Sequence, residues 1–150
     1  MKDEIQERYV FWRFAIQDFF ECADTIDLMA ETENDGIKIA LFKYAVICYC
    51  RPFTANEAKF KKQKWKIDDS LVSDKALHNK IMDLRSKLFA HSDVPFREPV
   101  LGKMGGMYPI SMKSFSLYTA LDLASPLSVM AKELFSVLIK MAKEYERENF

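Results

Sequence analysis

Between residues 3 and 31 the side chains Ile5, Tyr9, Trp12, Ile16, Phe19, Ala23 and Ile26 recur at alternating steps of four and three. That period keeps one face of an α-helix apolar for about eight turns, whereas a strand would scatter the same residues over both of its faces. A second series, Phe11, Phe14, Ala15, Cys22 and Met29, widens the apolar surface. A helix with two faces to cover belongs either at the centre of a bundle or at a contact between chains. The expectation is therefore a homodimer in which Trp12, Phe19 or their neighbours contribute to the interface.

Breakers are scarce elsewhere too. The 150 residues hold four glycines and five prolines, about half the usual share, which speaks against a turn-rich sandwich or barrel. They sit at Gly36, at Pro52, in a cluster from Pro95 to Pro109, and at Pro126. A second helix is expected over 36–51, with Ile37, Ala40, Leu41, Tyr44, Ala45 and Cys48 inward, Asp35-Gly36 as its connection and Pro52 just past its end. A third opens at Ser73 as N-cap with Asp74 in the first turn. It runs through Leu77, Ile81, Leu84 and Leu88 to about Ala90. A fourth opens with Ser125 as N-cap and Pro126 in the first helical position. It buries Leu127, Met130, Ala131, Leu134, Val137, Leu138, Met141 and Tyr145. Residues 94–118 alternate polar and apolar around Gly102 to Gly106, as in Met107-Tyr108-Pro109-Ile110-Ser111 and Phe115-Ser116-Leu117, and predict a small hairpin or flap. The expected architecture is all-α: a single domain over 1–150, an antiparallel four-helix bundle with an irregular or hairpin insertion between helices three and four.

A chain that is 49% hydrophobic and 29% charged is an ordinary globular domain, and at this length it can bury roughly 70% of its unfolded surface without disulfide or metal staples. Acids among the first residues, the lack of an apolar leader and the lack of any run of 18 apolar residues predict neither signal peptide nor membrane span, hence a cytoplasmic protein. Cys22, Cys48 and Cys50 form an odd set without C-x-x-C spacing and read as packing thiols. Cys48 and Cys50, two apart, point to opposite sides of a helix and cannot chelate one metal. No metal or cofactor is expected.

Charge cancels in sum, 22 basic against 22 acidic residues, but not locally. Asp18, Glu21, Asp24, Asp27, Glu31, Glu33 and Asp35 follow one another with no Lys or Arg between residues 14 and 37, and read as a solvated helix face. Arg51, Lys59, Lys61, Lys62, Lys64 and Lys66 stand against Glu57 alone, interleaved with Phe60 and Trp65. Such a run either forms a solvated loop or short helix anchored by its aromatics, or grips a phosphate backbone and stacks bases, making RNA a candidate partner.

Only two histidines, His78 and His91, can serve as general bases near neutral pH. His78 lies early in the third helix, on one stripe with Met82, Arg85 and Phe89. His91 falls where that helix is expected to end, and the helix macrodipole favours an imidazolium there. The stretch Leu84-Arg85-Ser86-Lys87-Leu88-Phe89-Ala90-His91-Ser92-Asp93 resembles the HEPN superfamily, small helical-bundle proteins marked by Arg, four to six residues, then His. The resemblance implies that Arg85 and His91 are the paired residues of a metal-independent endoribonuclease of toxin or phage-defence type, with Ser86 beside them. It also implies a homodimer that brings two motifs to one cleft, and an antitoxin-like protein partner. On an ideal helix, six residues are 240° around and about 9 Å along. Either the last turn unwinds, or residues from two chains complete the site.

In that chemistry a neutral His91 takes the proton of a ribose 2′-hydroxyl, the oxygen attacks the adjacent phosphorus, and Arg85 holds two equatorial oxygens as charge builds. A 2′,3′-cyclic phosphate results, and DNA cannot react. Ser86 stands where members often carry Asn, Asp or His, so the alternative is a non-catalytic helical module that binds RNA or a protein. An enzyme acting on a small molecule in a cleft under the 94–118 flap is a third possibility.

Overall fold

A computed structural model describes residues 2–54, 56–57, 64–89, 98–101, 110–113 and 117–150. They form four helices, α1 (Lys2–Ala30), α2 (Asp35–Cys50), α3 (Lys75–Phe89) and α4 (Ala124–Asn149). Two small antiparallel ladders join them, β1 (Asn56–Glu57) with β2 (Lys64–Trp65) and β3 (Glu98–Leu101) with β4 (Ile110–Lys113). In the second ladder Glu98 faces Lys113 and Leu101 faces Ile110, so the hairpin expected within 94–118 is present in its described residues. Gly102, Gly105 and Gly106 lie outside them. Among the described residues no helix is long and apolar enough to cross a membrane.

The long stripe of α1 is covered by two partners. Along α4 it runs antiparallel: Tyr9 meets Phe150, Trp12 meets Tyr145 edge-on at 5.0 Å, Phe20 meets Phe135, and Asp27 receives Lys132 at 3.1 Å. Along α2 it also runs antiparallel, from Asp18 beside Arg51 to Glu21 beside Tyr44 and Cys48. Phe19 is fully buried where α1, α2 and the 3-10 turn Arg51–Phe53 converge, its ring near Tyr49 and Phe53. The expectation that Phe19 faces a second chain is thus corrected, because it is fully enclosed within one chain, whereas Trp12 is half-buried against Tyr145. Val10, Phe14, Phe20 and Leu28 are the large apolar side chains α1 leaves exposed.

The inward set of α2 is not the one its spacing suggested. Phe42, Ala45, Val46, Cys48, Tyr49 and Cys50 are buried, while Ile37 and Tyr44 are exposed. Nearly every residue of this helix is apolar, so the period is satisfied by more than one face, and packing by α1 on one side and α3 on the other made the choice. The third and fourth stripes hold through Leu77, Ile81 and Leu84 and through Leu127, Met130, Ala131, Leu134 and Leu138; Val137 lies outside.

Three caps differ from expectation. Asn34, one residue before Asp35-Gly36, caps α2 by accepting from the Ile37 N–H at 3.0 Å, which places Asp35 and Gly36 inside the first turn. Asp74 caps α3 by accepting from the Leu77 N–H at 2.9 Å, and Ser73 instead donates its hydroxyl to Glu133 of α4. In both cases the longer carboxamide or carboxylate reaches the third amide of the helix. Ser125 caps nothing: a 3-10 helix, Leu117–Leu123, runs straight into α4 and carries the chain past it.

Candidate functional site

Arg85 lies in the last turns of α3, half-buried, on the side of the helix that faces the C-terminal end of α2. Burial pushes the Cys50 thiol up to about 12 against the opposing pull of the Arg85 guanidinium. Ser86 donates its hydroxyl back to the Met82 carbonyl at 3.2 Å, one turn earlier, a local bond common for serine within a helix. His91, the proposed base, lies outside the described residues, as do Ala90, Lys59, Phe60, Lys61 and Lys62. For Lys64 only the backbone is described, in β2; Lys66 is exposed just after it.

His78, on the same stripe as Arg85, is buried. Its Nδ1 lies 2.8 Å from the Tyr49 hydroxyl, and its ring stands edge-on to Phe53 at 4.6 Å. Tyr49 Oη also lies 3.4 Å from Met130 Sδ. Both contacts are satisfied when the imidazole donates to the hydroxyl and the hydroxyl donates to sulfur. Burial lowers the His78 pKa, so this ring is a neutral packing element joining α2, α3 and α4.

The two ends of the basic run are engaged within the chain. Arg51, first residue of the 3-10 turn after α2, donates from Nη1 to Asp18 Oδ1 at 2.5 Å. Trp65 is half-buried, with the Arg8 guanidinium over its ring at 5.1 Å from the centroid, a cation–π contact. Its indole N–H is buried with no acceptor among the described residues. The ladder that presents Trp65 is pinned where the Ile67 N–H donates to the Pro52 carbonyl at 2.8 Å.

These residues close one side of a cleft of about 530 Å³, whose other wall is α1. Glu7, Phe11, Phe14, Asp18 and Glu21 line it at steps of four, three, four and three, with Val10, Gln17, Arg51, Pro52 and Trp65 around them. The acidic stretch expected to be wholly solvated therefore divides. Asp24, Asp27, Glu31, Glu33 and Asp35 are exposed, but Asp18 is only 7% exposed and Glu21 is half-buried. Asp18 falls in register with Phe11, Phe14, Ala15 and Cys22, and an acid within an apolar stripe is the signal that could have marked it.

Burial raises the Asp18 carboxyl to about 6, outweighing the nearby Arg51 guanidinium, while neighbouring Glu21 pushes the same way. Glu21 is held below its ordinary value because the Tyr44 hydroxyl donates to it at 2.7 Å and Gln17 at 3.1 Å. Asp18, Glu21 and Cys48 bring three possible metal-ligand atoms within 4.8 Å of one another. Burial pushes the Cys48 thiol up to about 11, so at neutral pH it is protonated and 3.8 Å from Glu21 as a donor. With Arg51 on Asp18 and Tyr44 and Cys48 on Glu21, the trio is joined into one hydrogen-bonded network.

The raised Asp18 pKa has a definite sign for stability. Between about pH 4 and 6 the folded state binds more protons here than the unfolded state, so this group's contribution declines as pH rises through that window. The stability of wild type minus that of Asp18→Asn is expected to fall by about 2–3 kcal/mol between about pH 4 and pH 7. Urea titrations of both proteins across that range measure it, and a flat difference contradicts the assignment.

Comparison of the chain with protein-family models, with curated proteins and with solved structures returned no match.

Proposed function

We propose that this chain is a HEPN-like antiparallel four-helix domain that cleaves RNA without metal, Arg85 clamping the scissile phosphate and His91 acting as general base. The observation that supports this reading is the position of Arg85 near the end of α3, half-buried against the end of α2. A guanidinium in such a setting acts on phosphate through a lower effective dielectric than bulk water, and its fork matches two phosphate oxygens. Two copies in a homodimer bring two such motifs together, and an antitoxin-like protein is the proposed inhibitor. The test is cleavage in excess EDTA of an RNA and of the same strand with one 2′-deoxy residue at the cut position. Cyclic phosphate from the first and none from the second is the expected result; cleavage of both, or a requirement for Mg²⁺, rejects the mechanism.

A second reading, a helical module that binds RNA or protein without cutting, is favoured by one observation: the residue beside Arg85 is an uncharged serine whose proton is already donated to the Met82 carbonyl. In either reading Lys61, Lys62 and Lys64 supply affinity and not turnover, since lysines act as point charges on the backbone. Replacing all three with Gln is expected to weaken RNA binding and to lower the slope of log K against log salt by about two to three. An unchanged slope in fluorescence anisotropy titrations removes these lysines from the interface.

A further inference from the structure

The cleft between α1 and the Arg51–Phe53 turn has the size of a small-molecule site, about 530 Å³. Its walls are apolar and largely aromatic: Val10, Phe11, Phe14, Pro52 and Trp65. Phe14 is 67% exposed and Val10 42%, so much of that surface meets water. Its polar groups are unbalanced in sign. Among the described residues that line it, the carboxylates of Asp18 and Glu21 face the guanidinium of Arg51, which already donates to Asp18. Trp65 holds one cation against its ring, that of Arg8.

We propose that this cleft binds a small organic cation, a primary amine carried on a flat apolar body. The body lies against Phe11, Phe14 and Trp65, whose π-faces attract positive charge as well as exclude water. The ammonium sits toward Asp18 and Glu21, where its three donors meet carboxylate oxygens in a half-buried setting that strengthens the attraction. An anion of the same shape gains one partly occupied guanidinium and meets the carboxylates of Asp18 and Glu21. A neutral body gains only the apolar walls.

Sign also fixes the pH dependence. The charged groups acting on Asp18 are Glu21 on its own helix and Arg51 from the facing turn, with Tyr44 and Cys48 of α2 as neutral donors to Glu21. Protonating Asp18 removes a negative charge from the amine's seat and loosens its hold on Arg51. Amine binding therefore weakens as pH falls through the Asp18 transition, and binding of an anion on Arg51 strengthens.

The chain has two tryptophans, so its nitrogen-15 spectrum holds two indole signals, and Trp65→Phe assigns one of them. The experiment titrates the full chain with phenethylamine, and with 2-phenylethanol and 3-phenylpropionate as neutral and anionic analogues. Phenethylamine is expected to shift the Trp65 signal saturably, at least about tenfold more tightly than either analogue. Its affinity should drop several-fold from about pH 7 to about pH 5. Glu21→Gln and Phe14→Ser are each expected to weaken it about five- to tenfold; Phe14 is exposed, so its replacement keeps the fold. No shift of the Trp65 signal by about 10 mM amine overturns the proposal. So does equal binding of the alcohol, which leaves only an apolar groove, or tighter binding of the carboxylate, which makes Arg51 an anion site.

Discussion

His91→Ala is expected to lose about 10²- to 10⁴-fold in metal-free RNA cleavage while RNA affinity stays within about twofold, because a positioned base acts on the reacting proton and not on the bound ground state. Arg85→Lys is expected to be nearly as damaging. An ammonium keeps the charge but cannot hold two phosphate oxygens in one planar fork. His78→Gln is the control. Its ring sits buried between Tyr49 and Phe53, so the change should lower stability and leave the cleavage rate of folded protein within a few-fold. Single-turnover cleavage in EDTA by the purified variants measures all three. Equal trace rates for wild type and His91→Ala assign the activity to contamination and the chain to the binding class.

Phe19→Ala is expected to cost about 3–5 kcal/mol, a large part of the stability of a domain this size. Phe19 is fully enclosed and meets the rings of Tyr49 and Phe53 at 5.8 and 5.7 Å, so truncation opens a cavity that these two rigid neighbours cannot easily refill. Urea unfolding read by far-UV circular dichroism measures the loss. Dependence on protein concentration decides what Phe19 does. A core residue gives the same loss at about 1 and 50 μM, whereas an interface residue gives a loss that varies with concentration. Phe14→Ser, five residues earlier on the exposed side of the same helix, is expected to stay within about 0.5 kcal/mol.

The same helix shows what could be read from residue order and what could not. The four-and-three stripe from Ile5 to Ile26 determined that residues 2–30 form one long helix, because only that period keeps those side chains on one side. The polar faces of the third and fourth helices likewise determined which residues of theirs turn inward. The hairpin in the insertion was visible in its alternation of polar and apolar residues, and the packing role of the three cysteines in their spacing and apolar context.

Where the pattern lacked contrast, tertiary packing decided. In α2 a largely apolar sequence satisfies several faces equally, and packing by α1 and α3 buried Phe42 and Tyr49 and left Ile37 and Tyr44 outside. The second face of α1 could equally have met another chain, and α2 covered part of it instead. Asp18 reads as one more acid in a solvated run until Arg51, 33 residues on, is folded against it; burial then reverses the usual behaviour of a carboxylate. A repeating period specifies which way side chains point relative to their own helix axis. Desolvation, ion pairing and the shape of a cleft depend on groups far apart in the chain, and those are brought together only by how the helices pack.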